Sequence, residues 1–319
     1  MAYTQTELTG YFDRVNLPND VREALLADRD RLKALTCLLH HHLAAVPFEN
    51  TALHYSADRV LVLSPSLLYE KIVRRRQGGT CFQITRLFGE VLLALGFELY
   101  MSGARTNKST SVAAQDEGGR AKFGDWYSFP LLGHTIVGVY GNDYLVDAGF
   151  GPNGPVDPVL LRDGLEFTDG NGNLGRRGRV VHAPIDQGRA RHLKYWRLQF
   201  LFDGSPDWTD IYAFTESEWL ESDYKAAERA VRGNKRAWFM YRVIAFQILL
   251  KDRTPVGWVM IWNDGMSWFQ GGKLSRRIRF GSEEERINVL ESVFGIKLGE
   301  GERKEIVGTV AFLGAKPKI

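Results

Sequence analysis

Cys81 is the residue whose local pattern in this sequence most favours chemistry. It follows Gly78-Gly79 and opens a segment with helical periodicity. The N-terminus of a helix stabilises a thiolate, so we expect a lowered thiol pKa and a nucleophilic sulfur. The two glycines would let the backbone turn sharply and leave room for a substrate near the sulfur. The alternative is that Cys81 is a small buried residue at a helix start, as many cysteines are.

A nucleophilic thiolate needs a basic partner, and His134 with Asp147 is the best candidate pair. His134 opens one strand of a predicted β-hairpin, and Asp147 lies thirteen residues later in the return strand. A two-residue turn at Gly141-Asn142 would place both side chains on one face of the ribbon. Asp147 would then lie opposite Ile136, one diagonal step from His134, and could orient the imidazole as in a Cys-His-acid triad. The alternative is an ordinary strand histidine and an aspartate that caps the next turn.

The remaining histidines and the second cysteine carry no comparable pattern. His40, His41 and His42 follow one another on a predicted helix, where adjacent side chains point in different directions and cannot meet at one metal ion. No acidic or cysteine ligand pattern accompanies them, so we predict no metal site and a surface or helix-end role. Cys37 lies in an apolar helical stretch, and we assign it no function.

The first 96 residues, which must position the cysteine, are predicted to be helical. One helix begins at Ser64-Pro65, a serine N-cap followed by a first-turn proline. The clearest helix begins at about Cys81, carries apolar residues at the i, i+3, i+4 and i+7 positions, and ends at Gly96. The nucleophile therefore belongs to a helical unit.

From residue 97 the pattern changes to strands, and later to strands mixed with helices. The polar, glycine-containing stretch at 107–124 is predicted to be a mobile loop. In the last third, Thr215 with Glu218 and Ser282 with Glu285 form capping-box patterns that open helices. The predicted order is a helical bundle, a β domain and a mixed α/β domain.

Composition bounds the class of protein. The chain has 319 residues, is 44% hydrophobic and 25% charged, and carries a net charge of +3. These values are typical of a globular protein with a core and give no reason to expect a nucleic-acid partner. There are two cysteines, no secretory signal and no apolar run of about 18 residues. We therefore expect a cytoplasmic protein with no membrane span.

Four segments together resemble the arylamine N-acetyltransferases, and most of all the fungal members of that family. The segments are VPFEN at 46–50, GGTCFQ at 78–83, YLVDAGFG at 144–151 and, near the C-terminus, EEERINVLESVFGIKL. The resemblance covers nearly the whole chain, and the combination is far more specific than any one motif.

The resemblance implies an α+β fold with a Cys-His-Asp core of the cysteine-protease kind. Residues 1–96 would form a helical bundle that carries the nucleophile, and residues 97–210 a β-barrel that carries the histidine and the aspartate. Residues 211–319 would form an α/β lid.

By the same resemblance, Cys81 is the nucleophile, His134 the base and Asp147 the orienting acid. The substrate pocket would use the phenylalanine of PFEN and the loop after the aspartate, namely Phe48, Phe150, Gly151 and Pro152.

Two positions depart from the family pattern. Gln77 stands where an arginine is common before Gly-Gly, and Thr80 stands where an aromatic residue is common before the cysteine. Arg76 is the candidate substitute for the missing cation.

The implied activity is transfer of an acyl group from an acyl-CoA to a small aromatic amine, hydrazine or N-hydroxyarylamine through a Cys81 thioester. Acetyl-CoA is the default donor, with no metal or tightly bound cofactor. The alternatives are malonyl-CoA as the donor, or a hydrolase with the same triad.

Overall fold

The computed structural model describes residues 3–107, 126, 132–233 and 238–314. The predicted loop at 107–124 therefore lies outside the described residues, apart from Asn107.

The N-terminal part is helical, as predicted. Its helices are α1 (Gln5–Arg14), α2 (Asn19–Leu26), α3 (Arg31–Ala45), α4 (Pro65–Leu68) and α5 (Cys81–Ala94). Ser64 is the N-cap of α4, and the helix continues directly into a π-helical segment, Tyr69–Arg74. Helix α5 buries its apolar residues in one core with α1, α3 and the π segment, and Gly96 follows it with a positive φ of 74°. The predicted boundaries of this helix are confirmed to within two residues.

Eight antiparallel strands form the central sheet. They are β2 (Glu98–Thr106), β3 (Leu132–Val139), β4 (Asn142–Val146), β5 (Val159–Leu160), β6 (Glu166–Thr168), β7 (Arg176–Ala183), β8 (Tyr195–Phe202) and β9 (Thr209–Phe214). Their order is β5-β4-β3-β2-β9-β8-β7-β6. The two edge strands, β5 and β6, are consecutive in the chain, and the segment between them binds β4 through Leu161 and β7 through Leu165. The sheet thereby curls into the predicted barrel.

The last part combines a second sheet with helices. The strands are β1 (Phe48–Glu49), β10 (Ile244–Lys251), β11 (Thr254–Trp262), β12 (Gly265–Gln270) and β13 (Lys273–Arg279), in that order across the sheet. The helices are α6 (Glu221–Gly233), α7 (Glu283–Phe294) and α8 (Glu300–Glu305). Strand β1 comes from the N-terminal part, and Phe48 pairs with Phe246 of β10.

One of the two predicted capping boxes is confirmed only in its serine half, because the Glu285 carboxylate accepts the Gly281 N–H at 2.7 Å rather than the Ser282 N–H. The other is wrong. The Ser282 hydroxyl accepts the Glu285 N–H at 3.3 Å and caps α7. Helix α6 begins at Glu221, well after Thr215, whose hydroxyl donates to Ser217 instead. The α+β architecture is confirmed, whereas the division at 96 and 210 stays a prediction, and β9 runs across the second of these positions.

Candidate active site

Cys81 is the first residue of α5, where we predicted the nucleophile. The Gln83 side chain accepts the Thr80 N–H at 3.1 Å and fixes the start of the helix. Further along, the Thr85 hydroxyl donates to the Gly133 carbonyl at 2.8 Å and holds α5 against β3. Cys81 is only partly buried as a residue, although its thiol is enclosed by protein atoms. The sulfur thus lies at the junction of the helical core and the barrel.

The two glycines before Cys81 serve close packing rather than a sharp turn or an open space, which corrects the predicted role. Gly79 pairs in parallel with Phe48, and its carbonyl accepts the Glu49 N–H at 2.8 Å. A Cβ at Gly78 would overlap the Pro47 carbonyl oxygen, so only glycine fits there. The VPFEN segment is therefore a strand laid directly against the chain that leads to the nucleophile.

The cation beside this segment is Lys71, so the expectation for Arg76 is wrong. The Lys71 ammonium binds the buried Glu49 carboxylate at 2.5 Å and also donates to the Gly78 carbonyl. The other Glu49 oxygen accepts from the Thr51 amide at 2.5 Å. Arg76 is exposed, whereas Gln77 is buried. Lys71 reaches inward from the π-helical segment, where the extra residue per turn shifts which side chains face the core.

The β3–β4 hairpin places His134 and Asp147 opposite each other. The turn is Tyr140-Gly141, both with positive φ (52° and 73°), rather than the predicted Gly141-Asn142. The register pairs Thr135 with Val146, and one further step sets His134 against Asp147. The prediction that Asp147 lies opposite Ile136 and diagonal to His134 is therefore wrong, because Asp147 lies opposite His134 itself. The prediction that the two residues share one face of the ribbon still holds, because directly opposed residues do so.

The Asp147 carboxylate has one anchored and one unengaged oxygen. Oδ1 accepts the backbone N–H groups of Gly149 at 3.0 Å and Phe150 at 2.9 Å. Oδ2 has no hydrogen-bond partner among the described residues, and neither has either ring nitrogen of the fully buried His134. The structure thus opposes the two residues along the backbone without a hydrogen bond between their side chains. Such unpaired buried polar groups are rare and are often functional.

Two aromatic residues complete the surroundings of His134, and sequence reasoning missed both. The His134 ring lies 4.3 Å from Phe214 and 6.3 Å from Tyr212, between ring centroids. Both belong to β9, which reaches the site through pairing with β2. Cys81 and Phe150 pack against the same buried cluster of the barrel. No local motif marks these residues, because their position depends on pairing between distant strands.

Burial controls the protonation of the three candidate catalytic groups. It raises the pKa of the Cys81 thiol to about 12, although backbone groups of Gly133, Phe82 and Cys81 itself act in the opposite direction. It lowers the pKa of His134 to about 3. The expected lowering of the thiol pKa is therefore wrong, because desolvation outweighs the effect of the helix terminus.

Burial also raises the pKa of Asp147 to about 6, against the effect of the Gly149 and Phe150 amides and of the nearby Tyr212 hydroxyl. At neutral pH the site thus holds a neutral thiol, a neutral imidazole and a carboxylate.

The four predicted substrate residues are all half-buried. A Cβ at Gly151 would lie 3.9 Å from Phe48, so the PFEN phenylalanine and the loop after Asp147 are in contact. The centre of the Phe150 ring lies 5.2 Å from the centre of the Tyr212 ring. The Pro152 carbonyl accepts from Arg176 at 2.7 Å. Their roles toward a substrate stay predictions.

The histidine run on α3 packs into the core. His40 is buried and pairs with Asp157 at 2.7 Å, and His42 is fully buried with its Nδ1 2.8 Å from the Tyr11 hydroxyl. A surface role is therefore wrong for these two residues. The part of the chain that the structure describes contains no cluster of side chains able to hold a metal ion. It also contains no helix long and apolar enough to cross a membrane.

Comparison with known proteins places this geometry in a family. An N-acetyltransferase family model matches residues 31–303. The chain is 28% identical to the N-malonyltransferase FDB2 of Gibberella moniliformis, over 96% of this chain and 92% of that protein. It is also 28% identical to an arylamine N-acetyltransferase of Mycobacterium tuberculosis, over 93% and 92% of the two chains.

Solved structures agree on the fold. The arylamine N-acetyltransferase from Salmonella typhimurium superposes with a TM-score of 0.74 at 19% identity, covering 95% of this chain and 98% of that one. The Mycobacterium marinum enzyme in complex with CoA gives 0.71 at 24% identity, covering 93% and 97%. With the family model matched across most of its length, this chain belongs to the arylamine N-acetyltransferase family and is an acyltransferase.

Proposed function

We propose that the protein transfers an acyl group from an acyl-CoA to an aromatic amine, hydrazine or N-hydroxyarylamine, with Cys81 as the nucleophile, His134 as the base and Asp147 as the orienting acid. The observation that carries this proposal is the convergence of three elements. The start of α5 meets the β3–β4 hairpin at the point where His134 and Asp147 oppose each other. The proposal includes a cytoplasmic location, and Cys37 and Cys81 are not joined in a disulfide.

In the first half-reaction, the Cys81 sulfur attacks the thioester carbonyl carbon while His134 takes the thiol proton. The bond from this carbon to the CoA sulfur then breaks, and the proton passes to the departing thiolate. Asp147 stabilises the imidazolium between these two transfers. The Cys81 amide at the helix start is the candidate donor to the developing oxyanion.

In the second half-reaction, the amine nitrogen attacks the acyl carbon held on Cys81. His134 accepts the amine proton and returns it to the sulfur as the bond from carbon to sulfur breaks. The proposed step requires a hydrogen bond between His134 and Asp147, which would orient the imidazole and stabilise the imidazolium. Phe48 and Phe150 offer flat apolar faces to the acceptor ring.

A second candidate concerns the donor. Malonyl-CoA is the alternative to acetyl-CoA, and it is supported by the full-length similarity to the N-malonyltransferase FDB2 proteins of two fungi.

Mass spectrometry of the intact protein tests the nucleophile and the donor together. After incubation with acetyl-, propionyl- and malonyl-CoA in a mixture, we expect one acyl group on Cys81, and its mass identifies the donor. Cys81→Ala should acquire none and lose turnover, whereas Cys37→Ala should behave as the wild type. Substantial amine acylation by Cys81→Ala would refute the assignment of the nucleophile.

A further inference from the structure

A buried arginine holds the loop that follows Asp147. The Arg176 guanidinium, almost fully buried, donates to the Pro152 carbonyl at 2.7 Å and to the Gly154 carbonyl at 2.6 Å. Its Nε donates to the Asp169 carboxylate at 2.8 Å. The guanidinium also lies 4.2 Å from the centre of the Phe200 ring, with which it forms a cation–π contact.

The counter-ion of Arg176 holds the same loop at a further point. Asp169 is fully buried, and its second oxygen accepts the Val156 N–H at 2.9 Å. One ion pair therefore binds three backbone groups of the loop, spaced two residues apart, at 152, 154 and 156. Because each contact is a charge-assisted hydrogen bond in a buried place, the loop has one strongly preferred conformation.

The held loop lies against the candidate catalytic acid. A Cβ at Gly154 would lie 3.3 Å from Asp147 Oδ2 and 3.1 Å from the Phe150 Cβ. The Gly154 backbone thus packs against both the carboxylate and Phe150, the aromatic residue that we assign to the acceptor. The hydrogen bond from Arg176 to the Gly154 carbonyl fixes the position of this backbone segment.

We propose that Arg176, held by Asp169, is a positioning residue that shapes the acceptor side of the active site through residues 150–156. The inference rests on the proposed function. The described contacts of Arg176 are with Asp169, Phe200 and the loop carbonyls, so we infer that it acts through the carbonyls of Pro152 and Gly154. Its loss should therefore impair acceptor binding more than acylation of Cys81 by the CoA donor.

The main test separates the two half-reactions. Arg176→Gln combined with Asp169→Asn removes both charges, so no unpaired buried charge is left to unfold the protein. We expect the acceptor KM to rise at least about tenfold, the equivalent of one lost charge-assisted hydrogen bond. The rate of Cys81 acylation, measured by intact mass without acceptor, should stay within about threefold of wild type. Arg177→Gln is the matched control, because Arg177 is the exposed neighbour on β7 and pairs with Glu166.

A second variant tests the packing of Gly154 against Asp147 and Phe150 while leaving the Arg176–Asp169 ion pair in place. Gly154→Ala adds a methyl group against Asp147 and Phe150 and should also raise the acceptor KM. The inference is overturned if the acceptor KM of folded Gly154→Ala is unchanged, or if acylation and acceptor transfer fall in parallel in the charge-free double variant. Failure of the wild type itself to acylate Cys81 would instead refute the proposed function.

Discussion

Gly149 lies directly against Cys81, because a Cβ at position 149 would come within 3.0 Å of the Cys81 Cα and 2.9 Å of its carbonyl oxygen. This contact, two residues after Asp147, fixes the distance between the hairpin and the start of α5. It joins the loop that follows the proposed acid to the proposed nucleophile.

Gly149→Ala should push these elements apart. A displacement of about 1 Å can cost about 100-fold in rate, so we expect acylation of Cys81 to slow by that order while the protein still folds. Single-turnover acylation by acyl-CoA measures the effect. Gly138→Ala in the same hairpin is the control, because its new Cβ would meet the Glu98 carbonyl oxygen at an ordinary 3.6 Å. Equal rates for the two variants would show that the Gly149 contact does not matter.

Asp147→Asn should abolish turnover yet stabilise the fold at neutral pH. Burial raises the pKa of Asp147 from 3.8 to about 6, so between these values the folded protein holds a proton that the unfolded chain has released. The free energy of unfolding therefore falls as pH rises through this window, by up to about 3 kcal/mol. Asparagine does not ionise and therefore avoids that loss. Relative to the wild type, the variant should be more stable above about pH 6 and equally stable below about pH 4.

Urea unfolding of wild type and Asp147→Asn across this pH range measures the difference. Burial lowers the pKa of His134 to about 3, so His134 destabilises the fold as pH falls, which is the opposite pH dependence to that of Asp147. A difference that does not change with pH would contradict the buried, ionised state of Asp147.

Lys71→Met should destabilise the protein strongly. It leaves the fully buried Glu49 carboxylate without its ammonium partner, which costs about 3–5 kcal/mol for buried pairs. The double variant Lys71→Met with Glu49→Gln should recover much of that loss, and Arg76→Gln should change stability by less than about 0.5 kcal/mol. Chemical denaturation provides the measurement. A large effect of Arg76→Gln would reinstate that residue as the supporting cation.

Phe150→Ala should weaken the acceptor complex. Its ring lies beside Tyr212 at the edge of the site, and loss of an aromatic contact of about 0.5–1.5 kcal/mol corresponds to a rise of roughly two- to tenfold in acceptor KM. Acylation of Cys81 by the donor should change little. If acylation slows and the acceptor KM stays constant, Phe150 belongs to the donor side or to the core.

Helix α5 could be predicted almost to the residue, because its apolar stripe and the stop at Gly96 are local signals. The hairpin register could not. The sequence favoured Gly141-Asn142 as the turn, whereas Tyr140 takes a positive φ, which is uncommon for a tyrosine. Its hydroxyl accepts the Arg31 N–H at the start of α3 at 3.0 Å, a tertiary contact that no local pattern contains.

The same limit applies to the site. Cys81, His134 and Asp147 could be proposed as catalytic residues from motifs, but Tyr212 and Arg176 reach the site from strands far along the chain. The thiol pKa was also beyond sequence reasoning, because a helix start predicts a lower value and only packing gives the amount of burial.

Strand β1 also has a consequence for biosynthesis. Glu49 hydrogen-bonds the Gly79 carbonyl on one side and pairs with Ala245 of β10 on the other. The ribosome synthesises Cys81 and helix α5 long before it synthesises β10. The nascent chain therefore contains the Cys81 thiol before the sheet that supports the site can form. Contacts between segments so distant in sequence form late and slowly. The newly made enzyme should therefore gain its activity only after translation is almost complete.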